Sequence, residues 1–223
     1  MTVIILFIIV GVVVYVKGTS EPAALKELLK GKNSQQQDVI KYFWGKGGFL
    51  TKRISDNEYK SIVNRFVDSS DFKQKALDKI GLDESQVSEI EPVHFEDWSF
   101  GKSVSFIKKI NNSEYLSSAY QITWMFFSSD QIYIYTNTVH FDKDDKKVLT
   151  EEYFYKDVTN FSTTTDTEEM SYYENGQKKI TSVDSNRFKV IVPGAQFVCS
   201  LNQNEYTERA IQGMKAKLRE KKS

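Results

Sequence analysis

Apolar side chains are most concentrated at the start of the chain. Residues 2–16 contain no charged side chain, and Lys17 ends the run. A helix of this length spans about 23 Å, less than the hydrocarbon core of a bilayer at about 30 Å, so crossing would need local thinning. Because no basic residue precedes the run and no small-residue cleavage site follows it, we predict a transmembrane anchor over residues 1–17 rather than a signal peptide.

Basic residues lie on one side of this run. The N-terminal side offers only the α-amino group, whereas the C-terminal side carries Lys17, Lys26, Lys30 and Lys32. Lys and Arg are enriched on the cytoplasmic side of membrane spans. The pattern therefore predicts contact with the membrane through residues 2–16, single-pass membrane localisation and a body that faces the cytoplasm.

A polar interval with short apolar stripes follows over residues 18–54. Pro22 at a first helical turn precedes a short helix in 23–29, and residues 35–44 place apolar side chains on one helical face. Glycines within 45–48 then end the pattern. We interpret residues 18–54 as a stalk or linker.

Helical spacing continues over residues 55–90. Ser55 and Glu58 match a capping box, and the apolar positions that follow predict a helix over about 56–67. Ser70 is placed to cap a second helix. This interval is predicted to be a small helical segment.

The period of the apolar positions changes to two from about Pro92. In residues 120–127 the side chains alternate and then become uniformly apolar, which predicts a strand buried on both faces near its end. Short polar turns predict sequential antiparallel pairing, with Asn175 and Gly176 as the clearest hairpin signal. The remaining strands are predicted at 132–141, 148–155, 158–164, 168–173, 177–183, 187–192 and 195–201.

An amphipathic helix is predicted over residues 205–222. Thr207, Ile211 and Leu218 share one of its faces. Together with the strands, this helix makes residues 91–223 an antiparallel β domain. The predicted fold class is therefore α+β, with an N-terminal transmembrane helix, a small helical segment and an antiparallel β-sandwich or barrel that carries a C-terminal helix.

The order of seven or so antiparallel strands followed by one helix resembles that of pleckstrin-homology-like domains in bacterial proteins. Segments 151–158 and 188–192, together with the terminal helix, are similar to what those proteins carry at these places. The resemblance covers about residues 91–222. It implies a bent sandwich whose end is covered by the helix, and such domains often lie beside a transmembrane segment.

Pleckstrin-homology-like domains bind lipids, bind peptides or serve in assembly, so the resemblance does not select one function. The lipid-binding members use Lys and Arg in the loop between the first two strands. In this chain the corresponding loop is Ser128, Ser129 and Asp130. Phosphoinositide binding is therefore disfavoured.

Charge and composition exclude further classes of partner and site. Lys plus Arg and Asp plus Glu number 30 each, so the chain lacks the net positive charge of nucleic-acid-binding proteins and we predict no nucleic acid partner. The chain contains one cysteine, Cys199, which excludes an intramolecular disulfide.

Few side chains in the sequence are candidates for chemistry. His94 and His140 stand among apolar and aromatic residues, and no Cys or His has metal-ligand spacing. Cys199 lies in a predicted core strand with no neighbour that would lower its pKa. The adjacent Glu151 and Glu152 point to opposite faces of a strand. We therefore predict no catalytic, cofactor-binding or metal-binding residue, no cofactor, and a protein that is not an enzyme.

An anchor combined with a body that has no candidate catalytic residues predicts a membrane-tethered binding or scaffolding module that recruits a protein partner. The alternative is a sensor or carrier of an apolar small ligand, held in a pocket between the sheet and the helices. An enzyme with an unfamiliar site is the third hypothesis. It would require a deep polar pocket with His94 or His140 beside a carboxylate.

Overall fold

Among the residues that the structure describes, four helices precede the strands. The fold is described from a computed structural model, which describes residues 22–45, 53–112, 114–174 and 176–222. The helices are α1 (Ala23–Leu29), α2 (Ser34–Trp44), α3 (Asp56–Asp68) and α4 (Phe72–Ile80), followed by a 3-10 turn at Glu84–Val87.

Capping side chains set where these helices begin. The predicted box of Ser55 and Glu58 is confirmed at the start of α3, and Asn33 with Gln36 forms a second box at α2. The predicted cap of α4 is wrong by one residue. Asp71, rather than Ser70, accepts the Gln74 backbone N–H at 3.1 Å.

Helices α1 and α2, which lie in the segment interpreted as a stalk, pack against the rest of the protein. Their apolar faces belong to the same buried cluster as side chains of the sheet, and Leu25, Val39 and Phe43 are buried. The Phe43 ring stacks on that of Phe106 at 6.1 Å between centroids. Burial of the apolar face holds both helices against the body. The interpretation of residues 18–54 as a separate stalk or linker stays a prediction.

Nine strands and one last helix complete the described chain. The strands are β1 (Val93–Trp98), β2 (Ile107–Lys109), β3 (Tyr115–Ser117), β4 (Ala119–Phe127), β5 (Gln131–His140), β6 (Lys146–Phe154), β7 (Asn160–Glu174), β8 (Gln177–Val192) and β9 (Ala195–Ser200). The last helix is α5 (Glu205–Lys222). Every strand pair is antiparallel, in sheets ordered β1-β4-β5-β6, β2-β3 and β7-β8-β9.

The α+β class, the antiparallel sheets and the C-terminal helix are confirmed. The described strands form separate sheets and no closed barrel. Strand β4 is buried on both faces, as predicted. Its Phe126 packs in a cluster with the helices, and its Met125 packs in a second cluster with the other large sheet.

The four-stranded sheet is therefore the middle layer of three. Helices α1–α4 cover one face. The opposite face contributes Phe95, Met125 and Ile134 to the second cluster, which also contains side chains of β7–β9 and of α5. Among the α5 side chains are Met214 and Leu218, so the terminal helix closes this second core.

Strands β7 and β8 form one long hairpin instead of the four short strands predicted. Polar residues that we expected to interrupt the strands pair across them. Thr165 donates to the side-chain oxygen of Asn186 at 2.9 Å, and Thr167 donates to Asp184 at 2.6 Å. Such cross-strand pairs stabilise a ribbon. The predicted hairpin turn is confirmed, with Gly176 at φ 77°.

Across the part of the chain that the structure describes, no helix has both the length and the apolar composition needed to cross a bilayer. This finding contradicts the predicted single-pass membrane localisation with a cytoplasmic body, and we correct that prediction. The proposed anchor over residues 1–17, with its membrane contact through residues 2–16, lies outside the described residues.

Candidate ligand-binding cleft

A cleft of about 750 Å³ opens between helices α3 and α4 and strands β5 and β6. Its volume is in the range of small-molecule sites. It lies between the sheet and the helices, which is where a sensor or carrier of an apolar small ligand, the alternative hypothesis, was expected to have its pocket. Its lining residues are Phe66, Phe72, Lys75, Lys79, Tyr135, Asn137, Val139, His140, Lys143, Asp144, Asp145, Lys146 and Val148.

Strand register brings the sheet residues of the cleft together. Side chains two apart on a strand share a face, so Tyr135, Asn137 and Val139 of β5 all face the helix layer. Antiparallel pairing sets Val148 opposite Asn137 and Lys146 opposite Val139. Adjacent strands therefore supply one mixed apolar and polar wall.

Aromatic and aliphatic side chains form the apolar part of the cleft. Phe66 of α3 contacts Phe72 of α4 at 5.9 Å between ring centroids and Phe141 at 5.6 Å. Phe66 and Val148 remain 36% and 39% exposed. A ligand that covers these two side chains would remove apolar surface from water, which favours binding.

Two buried polar side chains in the cleft have atoms without a partner. Asn137 is 8% exposed and donates through Nδ2 to the Tyr135 hydroxyl at 3.2 Å, which leaves its Oδ1 unpaired. His140 is 7% exposed, and its Nδ1 is also unpaired. An unsatisfied buried polar group costs roughly 1–3 kcal/mol. Both atoms are shielded from solvent, so a bound group would relieve this cost only after the Asn137 or His140 side chain rotates toward the cleft.

The charge state of His140 follows from its surroundings. Burial lowers the pKa of His140 below its usual value, and Lys143 lowers it further, while Asp142 and Asp145 act in the opposite direction. The imidazole is therefore neutral at pH 7. A neutral imidazole offers one donor and one acceptor.

Lysines dominate the rim of the cleft. Lys143 pairs with Asp145 at 3.3 Å, and Asp144 accepts a hydrogen bond from Gln36 at 2.7 Å. Within the described ranges, the other lysines of the rim form no ion pair; these are Lys75, Lys79 and Lys146. The rim therefore favours a negatively charged group.

The side chains singled out in the sequence do not form one site. His140 lies in the cleft. His94 stacks on Trp124 at 4.9 Å, and its Nδ1 lies 3.2 Å from the Tyr206 hydroxyl. Cys199 is buried, and burial raises the pKa of its thiol to about 12, so the thiol stays protonated.

No group of three or more His, Cys, Asp or Glu side chains that could hold a metal ion occurs among the described residues. The expectation that the protein is not an enzyme stays a prediction.

Sequence reasoning did not identify Asn137 or the rim lysines as site residues. One signal was present: in β5 the side chains that face the helices are Tyr133, Tyr135, Asn137 and Val139, so Asn137 is an amide within an apolar row. The lysines carried no such signal, because Lys75 and Lys79 lie on α4, whereas Lys143 lies in the loop before β6 and Lys146 begins β6.

Two smaller clefts flank α5, with volumes of about 540 and 520 Å³. Lys215 lines both of them. None of the buried unpaired side-chain atoms found in the described residues belongs to their linings. The cleft beside β5 therefore remains the stronger candidate.

Comparison with known proteins adds no assignment. No protein-family model, curated protein or solved structure matches the chain. The candidate site rests on its geometry and chemistry.

Proposed function

We propose that this protein is a non-catalytic binding module, a sensor or carrier that holds a small amphipathic anion in the cleft between α3–α4 and β5–β6. One observation carries the proposal. Two buried polar side chains with unpaired atoms, Asn137 and His140, lie in the same concavity as exposed apolar side chains. An open apolar wall with a few convergent polar groups is typical of small-molecule sites.

Each part of the ligand corresponds to a part of the cleft. Its apolar portion covers Phe66 and Val148. A hydroxyl or amide donor pairs with Asn137 Oδ1. Its anionic group lies near Lys75 and Lys79 at the rim, which accounts for the excess of lysine over aspartate there.

We also propose that residues 91–222 adopt a pleckstrin-homology-like arrangement. Support comes from the three strands β4–β6, the three strands β7–β9 and the helix α5, which share the second buried cluster with β1. Recruitment of a protein partner, the other predicted role, stays a prediction, as does the absence of a nucleic acid partner.

The proposed ligand class is tested by calorimetric titration of the full chain with 3-hydroxydecanoate and with decanoate. Both have an apolar chain and a carboxylate, and only the first has a hydroxyl donor beside it. We expect K75A/K79A to weaken both ligands by about fivefold, since each exposed charge contributes modestly. We expect N137L to weaken 3-hydroxydecanoate alone by about fivefold.

A matched control has the same loss of charge away from the cleft. K26A/K178A removes two exposed lysines from α1 and β8 and should bind both ligands as the unsubstituted protein does. Binding that is unchanged in K75A/K79A, or equally reduced in the control, would overturn the proposal. Absence of binding by the unsubstituted protein to either ligand would overturn it as well.

A further inference from the structure

Strand β6 is an open edge of the four-stranded sheet. Its inner edge pairs with β5, and among the described strands none lies along its outer edge. Residues 146–150 are all exposed, including the apolar Val148 and Leu149 at 39% and 37%. An edge of this kind presents unpaired backbone N–H and C=O groups that can pair with another strand.

The sequence of this edge has charges arranged symmetrically about Leu149. Residues 146–152 read Lys-Lys-Val-Leu-Thr-Glu-Glu, with two cations before the centre and two anions after it. Charges on an edge strand usually oppose pairing with other strands. In this order they oppose parallel self-pairing, which would place Lys opposite Lys. They favour antiparallel self-pairing, which places Lys opposite Glu.

We propose that two copies of this chain associate through β6, antiparallel, with the two-fold axis at Leu149. In this register Lys146 of one copy lies opposite Glu152 of the other, and Lys147 lies opposite Glu151. Val148 lies opposite Thr150, and the two Leu149 side chains meet at the axis. Opposite charges directly across an antiparallel pair are stabilising, and like charges there are destabilising.

The groups that this interface needs are available. Within the described part of the chain, Lys146, Lys147 and Glu152 form no ion pair, and Glu151 accepts a hydrogen bond from its neighbour Tyr153. A self-complementary patch is what a two-fold dimer requires, because each copy contributes the same surface. The order of charges therefore favours a second copy of this chain as the binding partner of the β6 edge.

Pairing would join two four-stranded sheets into one continuous eight-stranded sheet. A seven-residue antiparallel overlap forms roughly six to eight backbone hydrogen bonds. The ion pairs are solvent-exposed, so they set the register and respond to salt rather than supply most of the affinity. The dimer is therefore expected to weaken as the salt concentration rises.

The proposal is tested by sedimentation equilibrium of the full chain and of charge-reversed variants at Lys147 and Glu151. Both positions lie on the face of β6 opposite the cleft, so ligand binding is not involved. In K147E two Glu–Glu contacts replace two ion pairs, and in E151K two Lys–Lys contacts do so. Each variant should dimerise at least about tenfold more weakly than the unsubstituted protein.

Complementation gives the decisive comparison. An equimolar mixture of K147E and E151K should form a heterodimer, because each Glu of one copy then faces a Lys of the other. The double variant K147E/E151K, with the charge order restored in reverse, should dimerise like the unsubstituted protein. K178E makes the same charge change on β8 and serves as the matched control, with no expected effect.

Two results would overturn the proposal. One is an unsubstituted protein that stays monomeric up to millimolar concentration. The other is a dimer that K147E and E151K leave unchanged, or one that their mixture does not restore. Circular dichroism of each variant separates loss of association from loss of folding. Under mild oxidation L149C should cross-link to a covalent dimer, whereas the unsubstituted protein, with Cys199 buried, should not.

Discussion

At the scale of the residue, Asp97 shows how burial sets the chemistry of a single group. Burial raises the pKa of Asp97 to about 6, although its carboxylate accepts the Trp98 backbone N–H at 2.7 Å and Arg187 lowers the pKa. Because the folded state holds this proton more tightly than the unfolded state, Asp97 stabilises the fold below its ordinary pKa of 3.8. That contribution is lost as the pH rises through about 6.

The substitution D97N should therefore stabilise the protein at pH 7.5 by about 1–2 kcal/mol, because it removes a partly buried charge and keeps an oxygen for the Trp98 N–H. At about pH 2.5, well below the ordinary pKa of 3.8, the carboxyl is protonated in both states and the gain should vanish. Urea unfolding of both proteins at the two pH values measures this difference. An equal gain at both pH values would contradict the electrostatic cause.

The sequence predicted where a pocket could lie, but it assigned no residue to that pocket. The pocket between sheet and helices was predicted as an alternative, and His140 was noted as a polar residue among apolar ones. Asn137 and Lys75 were not identified, because they are 62 positions apart in the sequence and meet only through tertiary packing. Single-sequence periodicity carries no information about such distant neighbours.

At the scale of the element, the tip of the β7–β8 hairpin is held by the end of α2. The Trp44 ring stacks on Tyr173 at 4.6 Å, and the Gly176 backbone N–H donates to the Trp44 carbonyl at 3.2 Å. The two elements are far apart in sequence. Their contact ties the hairpin tip to the helix layer and should stabilise it, since an isolated hairpin is marginally stable.

The substitution Y173A should loosen the hairpin tip without unfolding the sheets. Loss of the stacked ring pair should cost about 1–2 kcal/mol of unfolding free energy. Backbone amides near the tip should exchange hydrogen faster, while those of β4 should keep their protection. I180A, at an exposed position of the same hairpin, is the control. Uniformly faster exchange across all strands would instead indicate global destabilisation.

Local signals predicted the types of most elements correctly. They predicted the nonlocal packing of these elements poorly. The capping box before α3 and the turn at Gly176 depend on neighbouring residues, and both were predicted correctly. The continuity of β7 depends on Thr165 and Thr167 pairing with residues of the opposite strand, and it was missed. The packing of α2 was likewise not predicted, because Phe43 stacks on Phe106, which is distant from it in the sequence.

At the scale of the whole molecule, the four-stranded sheet separates two buried cores with different roles. The core with β7–β9 is closed by α5, which is fixed by the ion pairs of Glu89 with Lys217 at 2.7 Å and Lys221 at 3.0 Å. The core on the helix side borders the cleft, which opens beside β6. The proposed dimer edge also includes Lys146 and Val148, which line the cleft. Lys147 and Glu151 face away from the cleft, so substitutions at these two positions test the dimer without altering the cleft lining.

The central claim is that the cleft beside β5 binds a small amphipathic anion. Hydrogen–deuterium exchange of the full chain, with and without saturating 3-hydroxydecanoate, tests it most directly because it locates the bound ligand. We expect slower exchange in α4, in the C-terminal half of β5 and in residues 143–148, with α5 and β9 unchanged. Slower exchange confined to the groove between α5 and β7, or no change in any segment, would contradict it.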